Sequence, residues 1–177
     1  MLIRRINPGL ESRRLSACGT SFSTDRVYRV AVDQMSVVIG EEKLTVPFQK
    51  TYPFDSVKKD VEESDFAVVV ENGDAIAGFA TVKHGEWNNR AVLTGIFVAP
   101  ESRGKGIGRA LLETAVNYAK TRSARCLFVE TQNVNYPAIR FYRHAGFEFC
   151  GFDRALYDPA ESGPGEIAFY FYKDLSS

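Results

Sequence analysis

The sequence predicts an α+β fold: a mixed, mostly antiparallel sheet flanked by helices. Three observations predict it. An apolar, β-branched run from Ala91 to Val98 ends at Ala99-Pro100. It leads through a glycine-rich turn to Ile107, Leu111, Leu112, Ala115, Val116 and Ala119, which recur at helical spacing. Two more apolar runs, Phe66 to Val70 and Ala75 to Val82, are joined at Asn72-Gly73-Asp74, a hairpin-turn signal. Phe147 to Phe152 and Ile167 to Lys173 then read as closing strands, separated by a Pro/Gly-rich loop from Asp158 to Gly165.

The remaining elements follow in chain order. Leu2 to Ile6 reads as a first strand, followed by a helix capped by Asn7 with Pro8 in its first turn. Val27 to Val32 and Ser36 to Glu41 are short extended runs. Val46 to Asp65 contains Pro47, Pro53 and the charged run Lys58 to Glu63, and reads as loop or a short solvated helix. Gly85 to Arg90 connects to the run that begins at Ala91. Cys126 to Thr131 is a strand, and a short helix carrying Asn135, Ala138 and Tyr142 stops at Gly146-Phe147. Residues 1–177 are expected to form one domain, long enough to bury its own core.

Composition narrows the functional classes. Lys+Arg and Asp+Glu balance at 22 each, so no global field draws the chain to nucleic acid or to an anionic membrane. Cys18, Cys126 and Cys150 are odd in number and widely spaced. They fit reduced thiols and a cytoplasmic location, and no Cys/His spacing predicts a metal site. Arg4, Arg5, Arg13 and Arg14 evoke a transit peptide, but Glu11 and the lack of an apolar core segment argue against it. No segment reaches membrane-spanning length.

The turn Arg103-Gly104-Lys105-Gly106-Ile107-Gly108 sits between a strand and a helix. A helix start offers unpaired N–H groups and the positive end of the macrodipole. Glycines let the backbone curl around an anion, and Arg103, Lys105 and Arg109 add charge, so the segment suits a phosphate or pyrophosphate. A P-loop would need Gly-Lys-Ser/Thr here. A dinucleotide fingerprint would need a third glycine where Arg109 stands, although Glu130 occupies the position of its acidic residue. A glycine-rich turn that binds nothing is the plain alternative.

The order Arg-x-x-Gly-x-Gly, strand, Asn-x-x-Ala-x-x-x-Tyr-x-x-x-Gly-Phe, running from Ala91 to Phe147, resembles the acetyl-CoA-binding core of the GNAT superfamily of N-acetyltransferases. Ser21 to Asp25 with Val27 to Val30, Trp87-Asn88, Glu130-Thr131, Cys150-Gly151, Ala155 to Asp158 and Glu166 to Tyr170 are similar to the streptothricin (nourseothricin) acetyltransferases. The resemblance implies acetyl-CoA held where the family's fourth and fifth strands splay, here Ala91–Val98 and Cys126–Thr131. It implies cofactor contacts from Ile96, Val98, Arg103, Gly104, Lys105, Gly106, Ile107, Gly108, Arg109, Asn135, Ala138 and Tyr142. The family's fourth strand carries an acidic pair; here those positions are Thr94-Gly95.

Amine acetylation fixes the chemistry required. An alkylammonium must lose a proton before it attacks, and the departing thiolate gains from a nearby donor. The resemblance places Tyr142 beside the cofactor sulfur as that donor; packing against Phe141 and Phe147 is its plain role. Asn135 either reaches the cofactor or simply caps its helix. Glu130, at a strand's carboxyl end, is the general-base candidate, with substrate anchoring as the alternative. Glu86, Asp158 and Glu166 offer charge to a cationic acceptor, and Tyr28, Trp87 and Tyr157 offer aromatic walls. The expected protein is an acetyl-CoA-dependent N-acetyltransferase for a small-molecule amine, streptothricin first; a homodimer is compatible with this. Another small amine, a protein amino group, or a non-catalytic acyl-CoA-binding module are the alternatives.

Overall fold

In the computed structural model, the hairpin at Asn72-Gly73-Asp74 joins β4 (Phe66–Asn72) to β5 (Ala75–Gly85), and Gly73 takes a positive φ of 60°. The structure describes residues 2–7, 11, 14–15, 18–162 and 165–176. The other elements are β1 (Ile3–Arg5), β2 (Ser21–Asp33), β3 (Ser36–Thr51), α1 (Phe54–Glu62), β6 (Arg90–Val98), α2 (Ile107–Thr121), β7 (Cys126–Gln132), α3 (Tyr136–His144), β8 (Glu148–Asp153), α4 (Pro159–Ser162) and β9 (Ala168–Asp174). Pro8 and Arg13 lie outside the described residues. Glu11, Arg14 and Leu15 are helical, and the Asn7 N–H donates to the Glu11 carboxylate at 2.9 Å.

The chain divides into two compact units, residues 1–21, 51–129 and 173–177, and residues 22–50 and 130–172. The divisions fall within or at the ends of β2, β3, β7 and β9, not in linkers.

In the first unit the strands run in the order β1-β4-β5-β6-β7. Every neighbouring pair is antiparallel except β6 and β7, which are parallel. Alternation along β5 decides what covers each face. Phe79 joins Val69, Ile76, Val57 and Val61 in a core that α1 closes, with Leu15, Cys18 and Ala99. Gly78, one residue earlier, points to the other face, where α2 packs: a Cβ there would meet Ile107 and Leu111 at 3.1 Å each. Phe66 stacks on Tyr118 of α2 with ring centroids 4.3 Å apart. The segment 46–65, read as loop or solvated helix, is the end of β3 followed by a packed helix. Val57 and Val61 are buried, each stabilising the fold by roughly 1.5–3 kcal/mol. Arg4 and Arg14 both bond Glu71 at 2.7 Å and both pair with Glu11, so this part of the basic N-terminal cluster forms an ion network.

In the second unit, β9 pairs antiparallel with β8, and a bulge at Cys150 shifts the register between Phe149 and Gly151. β2 and β3 form a separate two-stranded ribbon, longer than the two short runs expected from sequence. Its tip is exposed on both faces, including Val32, Met35, Val37 and Val38. Asn133 is buried and holds the ribbon: its Nδ2 donates to the Tyr28 carbonyl at 2.8 Å, and its own carbonyl accepts from Tyr28 N–H at 3.0 Å. Among the described residues, no helix is long and apolar enough to cross a membrane.

Candidate active site

The glycine-rich turn has the geometry that its sequence predicts. Gly104 and Gly106 have φ of 76° and 80°, a left-handed conformation that only glycine adopts cheaply. Nothing lies within 4 Å of a Cβ built at either position, so space around the turn is open. Gly106 is the N-cap of α2, and no side chain caps that end. The first N–H bonded back within the helix is Ala110, to the Gly106 carbonyl at 3.0 Å; the N–H groups before it have no partner in the helix ladder. No acidic residue occupies the first turn. An anion fits this end by dipole, donors and space together.

The three basic residues divide their work. Arg103 donates to the carbonyls of Val98 at 3.0 Å and Ser21 at 2.5 Å, which ties the turn to the end of β6. Arg109 pairs with Glu113 at 2.9 Å and is largely exposed, as is Lys105. Arg103 therefore shapes the turn, while Lys105 and Arg109 stand at the solvent side of it.

β6 changes character halfway. Its parallel pairing with β7 covers Arg90↔Cys126 to Leu93↔Val129. The next residue, Thr94, is a bulge: Thr81 of β5 faces Gly95, whereas Val82 faces Leu93. The Thr94 hydroxyl bonds that of the fully buried Thr81 at 2.8 Å. A Cβ at Gly95 would lie 3.0 Å from Thr81 Oγ1 and 3.3 Å from the Phe97 ring. The place where the resembled family has two acids is thus a close-fitting hydroxyl pair beside a glycine. Ile96 and Val98 lie beyond the bulge, facing Ala80 and Gly78 across the ladder with β5.

In the second unit, Asn135 caps α3, its Oδ1 accepting from Ala138 N–H at 3.2 Å. Both residues meet the requirements of a helix start without further help. Tyr142 is 5% exposed, and its ring packs on Phe141, Phe147 and Phe171 at centroid distances of 5.4, 5.6 and 6.5 Å. Packing fixes the ring; chemistry at this position rests on the hydroxyl alone.

The acidic candidates are sorted by their partners. Glu166 is buried and forms an ion pair with Lys50, so its charge is already neutralised within the protein. Asp158 begins α4: its carboxylate accepts from Ala160 N–H at 2.9 Å, and its carbonyl accepts from Glu161 and Ser162. Glu86 lies with Trp87 in the short helical turn 86–88, which precedes Arg90 at the amino end of β6. The glycine-rich turn follows the other end, so a nine-residue strand, roughly 27 Å, separates them. The structure does not bring Glu86 or Trp87, which is 88% exposed, to that turn. Glu130 keeps its expected place near the carboxyl end of β7, where it accepts a hydrogen bond from the Tyr157 hydroxyl. Tyr170 lies close enough for the charges of Glu130 and Asp153 to add to burial in pushing its phenol pKa up. Tyr28 stacks on Tyr136 at 5.6 Å and leans on Phe169 at 6.1 Å.

Two structurally decisive residues were not singled out from sequence. Gly78 carries a readable signal, since an isolated glycine inside a strand pattern marks a close approach. Asn133 has none, because nothing in Gln132-Asn133-Val134-Asn135 says which asparagine is buried. Among the described residues, no group of three His, Cys, Asp or Glu is placed to hold a metal ion.

Comparison with known proteins agrees with the fold. Residues 25–147 match the model of the acetyltransferase (GNAT) family. The chain is 38% identical to streptothricin acetyltransferase of Streptomyces lavendulae, covering 94% of this chain and 91% of that one. The crystal structure of nourseothricin acetyltransferase superposes with a TM-score of 0.87 at 37% identity, covering 98% of this chain and 97% of that one. A Bacillus anthracis acetyltransferase solved with acetyl coenzyme A shares the fold, with a TM-score of 0.78 at 24% identity over 98% and 96% of the two chains. A helix start that fits an anion, a mixed sheet whose β6 and β7 run parallel, and a match over most of the chain converge: the protein belongs to the acetyltransferase (GNAT) family and is an N-acetyltransferase.

Proposed function

We propose that this enzyme acetylates an amino group of a streptothricin-type antibiotic, on its β-lysine moiety, with acetyl-CoA as the donor. Similarity to the Streptomyces lavendulae streptothricin acetyltransferase over 94% of the chain carries the reading. The uncapped start of α2 fits the pyrophosphate of the donor, through the N–H groups from Arg103 to Arg109. Ile96 and Val98 supply backbone groups of β6 to its pantetheine arm.

Glu130 takes one proton from the acceptor ammonium. The freed amine nitrogen attacks the thioester carbonyl carbon, a C–N bond forms, the nitrogen releases its second proton to solvent, and the C–S bond breaks. Tyr142 gives its phenolic proton to the leaving sulfur and regains one from solvent. The acceptor's cationic groups meet Glu130; the charge of Glu166 is matched by Lys50, and Asp158 serves as the cap of α4.

One observation favours a second reading. The hydroxyl pair Thr81–Thr94 and the tight fit around Gly95 leave β6 without a carboxylate, which suits an acceptor of lower charge. Purified protein with acetyl-CoA and a panel of amines, followed by thiol release and mass spectrometry, separates the two. Streptothricin gaining one acetyl group, with resistance in a sensitive host, supports the antibiotic reading. Rapid turnover of another amine with none of streptothricin would replace it. Tight CoA binding without acetylation of any amine would make the protein a binding module.

A further inference from the structure

Tyr157 stands in the loop between β8 and β9, and several of the described residues of that loop are tied down. Asp153 Oδ1 accepts from Ala155 N–H at 2.8 Å, closing the turn that leaves β8. Asp158 caps α4 immediately after Tyr157. Beyond α4, Glu166 is fixed by Lys50. Asn133 Oδ1 accepts from Ile167 N–H at 2.8 Å, and Asn133 N–H donates to the Ile167 carbonyl at 2.9 Å. Asn133 follows Glu130 by three residues, so the segment carrying Tyr157 is anchored to the chain just past the carboxylate that its hydroxyl meets. Half-buried, with its hydroxyl on Glu130 Oε1, Tyr157 is placed to orient that carboxylate.

We propose that Tyr157 is a positioning residue for Glu130, not the aromatic wall of the acceptor pocket. The proposal rests on the reading of Glu130 as the group that meets the acceptor ammonium. A phenol donated to one oxygen fixes the plane of a carboxylate and favours its ionised form. Groups near Glu130 include the phenol of Tyr170 on β9, which also feels the charge of Asp153 at the end of β8. Tyr170 stays protonated, and Asp153 is engaged by the turn at Ala155. Tyr157 therefore keeps Glu130 both aimed and charged.

The test uses the full chain and the variants Tyr157→Phe and Glu130→Gln. Carboxyl 13C NMR of the protein without substrates follows the Glu130 titration; Glu130→Gln assigns the signal. Loss of the donated bond in Tyr157→Phe is expected to raise the midpoint by about one pH unit or more. In steady-state assays with acetyl-CoA and the best amine of the panel, the acid limb of kcat/KM should move up by the same interval, with the KM for acetyl-CoA unchanged. Tyr157→Gln, whose amide can still donate, should recover part of both shifts. An unmoved Glu130 midpoint in Tyr157→Phe overturns the proposal. So does a rise in amine KM that is equal at every pH, since that is the signature of a wall. If the midpoint moves but Glu130→Gln keeps the wild-type pH profile, the positioning contact stands and the base role of Glu130 fails.

Discussion

Replacing Gly78 with alanine isolates how the sheet seats α2, the helix proposed to receive the donor. The added Cβ would lie 2.7 Å from the Phe97 carbonyl oxygen and 3.1 Å from Ile107 Cγ2 and Leu111 Cδ1. The two methyl groups can rotate away by a few tenths of an ångström. The carbonyl belongs to β6, which β5 pairs along its length, so it yields only if the backbone moves. One buried methyl gains about 0.8 kcal/mol, whereas overpacking of this kind costs about 1–3 kcal/mol. Strain wins, and a net loss of up to about 2 kcal/mol lowers Tm by up to roughly 8 °C in a chain of this size. Because the displaced residues are the first and fifth of α2, the proposed donor site would move with them. CoA affinity should fall several-fold. Thermal unfolding and calorimetry measure the two effects, with Gly40→Ala as control, since nothing lies within 4 Å of a Cβ there. If Gly78→Ala keeps both the wild-type Tm and the wild-type CoA affinity, the contact does not seat α2.

Three other perturbations have distinct signatures. Gly106→Val forces a β-branched residue into φ of 80°, at a strain of about 1–2 kcal/mol, in open space. CoA affinity by calorimetry should fall far more than Tm, and an unchanged affinity would remove the anion site from this turn. Tyr142→Phe keeps the ring among Phe141, Phe147 and Phe171, so stability should hold while turnover drops about 100-fold or more, with unchanged KM for acetyl-CoA. Full turnover with chemistry rate-limiting would leave Tyr142 a packing residue. Burial, reinforced by Glu63, pushes the Asp60 carboxyl up from its ordinary 3.8 to about 6. A raised carboxyl pKa costs the fold stability as pH climbs from the unfolded value to the folded one, and the loss is complete above about 6. Asp60→Asn should therefore stabilise the protein by about 1–2 kcal/mol at neutral pH, after allowance for solvent screening. The gain should vanish below the ordinary carboxylate range, and denaturant unfolding that shows a pH-independent gain would contradict this.

Much of this was legible in the residues, and the misses have physical causes. Strands with one or two buried faces announced themselves through apolar runs, as did α2 through its periodic stripe. The β2–β3 ribbon did not: a strand exposed on both faces has no buried side to impose alternation, so Val37, Val38 and Val46 look unpatterned. In α1, the prolines before it and the charges along it masked the Val57/Val61 pair, one helical turn apart, that faces the core. The glycine turn was readable down to its conformation because only glycine fits it. The acidic residues were harder, since charge alone does not distinguish a substrate contact from a structural one. Asp158-Pro159 carries a readable helix-start signal, aspartate followed by proline in the first turn. The Lys50–Glu166 pair joins residues 116 positions apart, which no local pattern reveals.

The bare amino end of α2 has an energetic consequence for the resting enzyme. Most helices complete that end with a side chain, and lacking one costs about 1 kcal/mol. Here an incoming pyrophosphate would serve as the missing cap, making the donor a folding ligand as well as a reactant. Stability then follows occupancy, rising as RT ln(1 + [L]/Kd) with free donor. Glycines at Gly104 and Gly106 leave that end open, and such a design would concentrate the earliest local opening in the turn proposed to admit the ligand. Amide exchange at residues 104–109 would be fastest in the free protein and would slow most sharply as CoA is added.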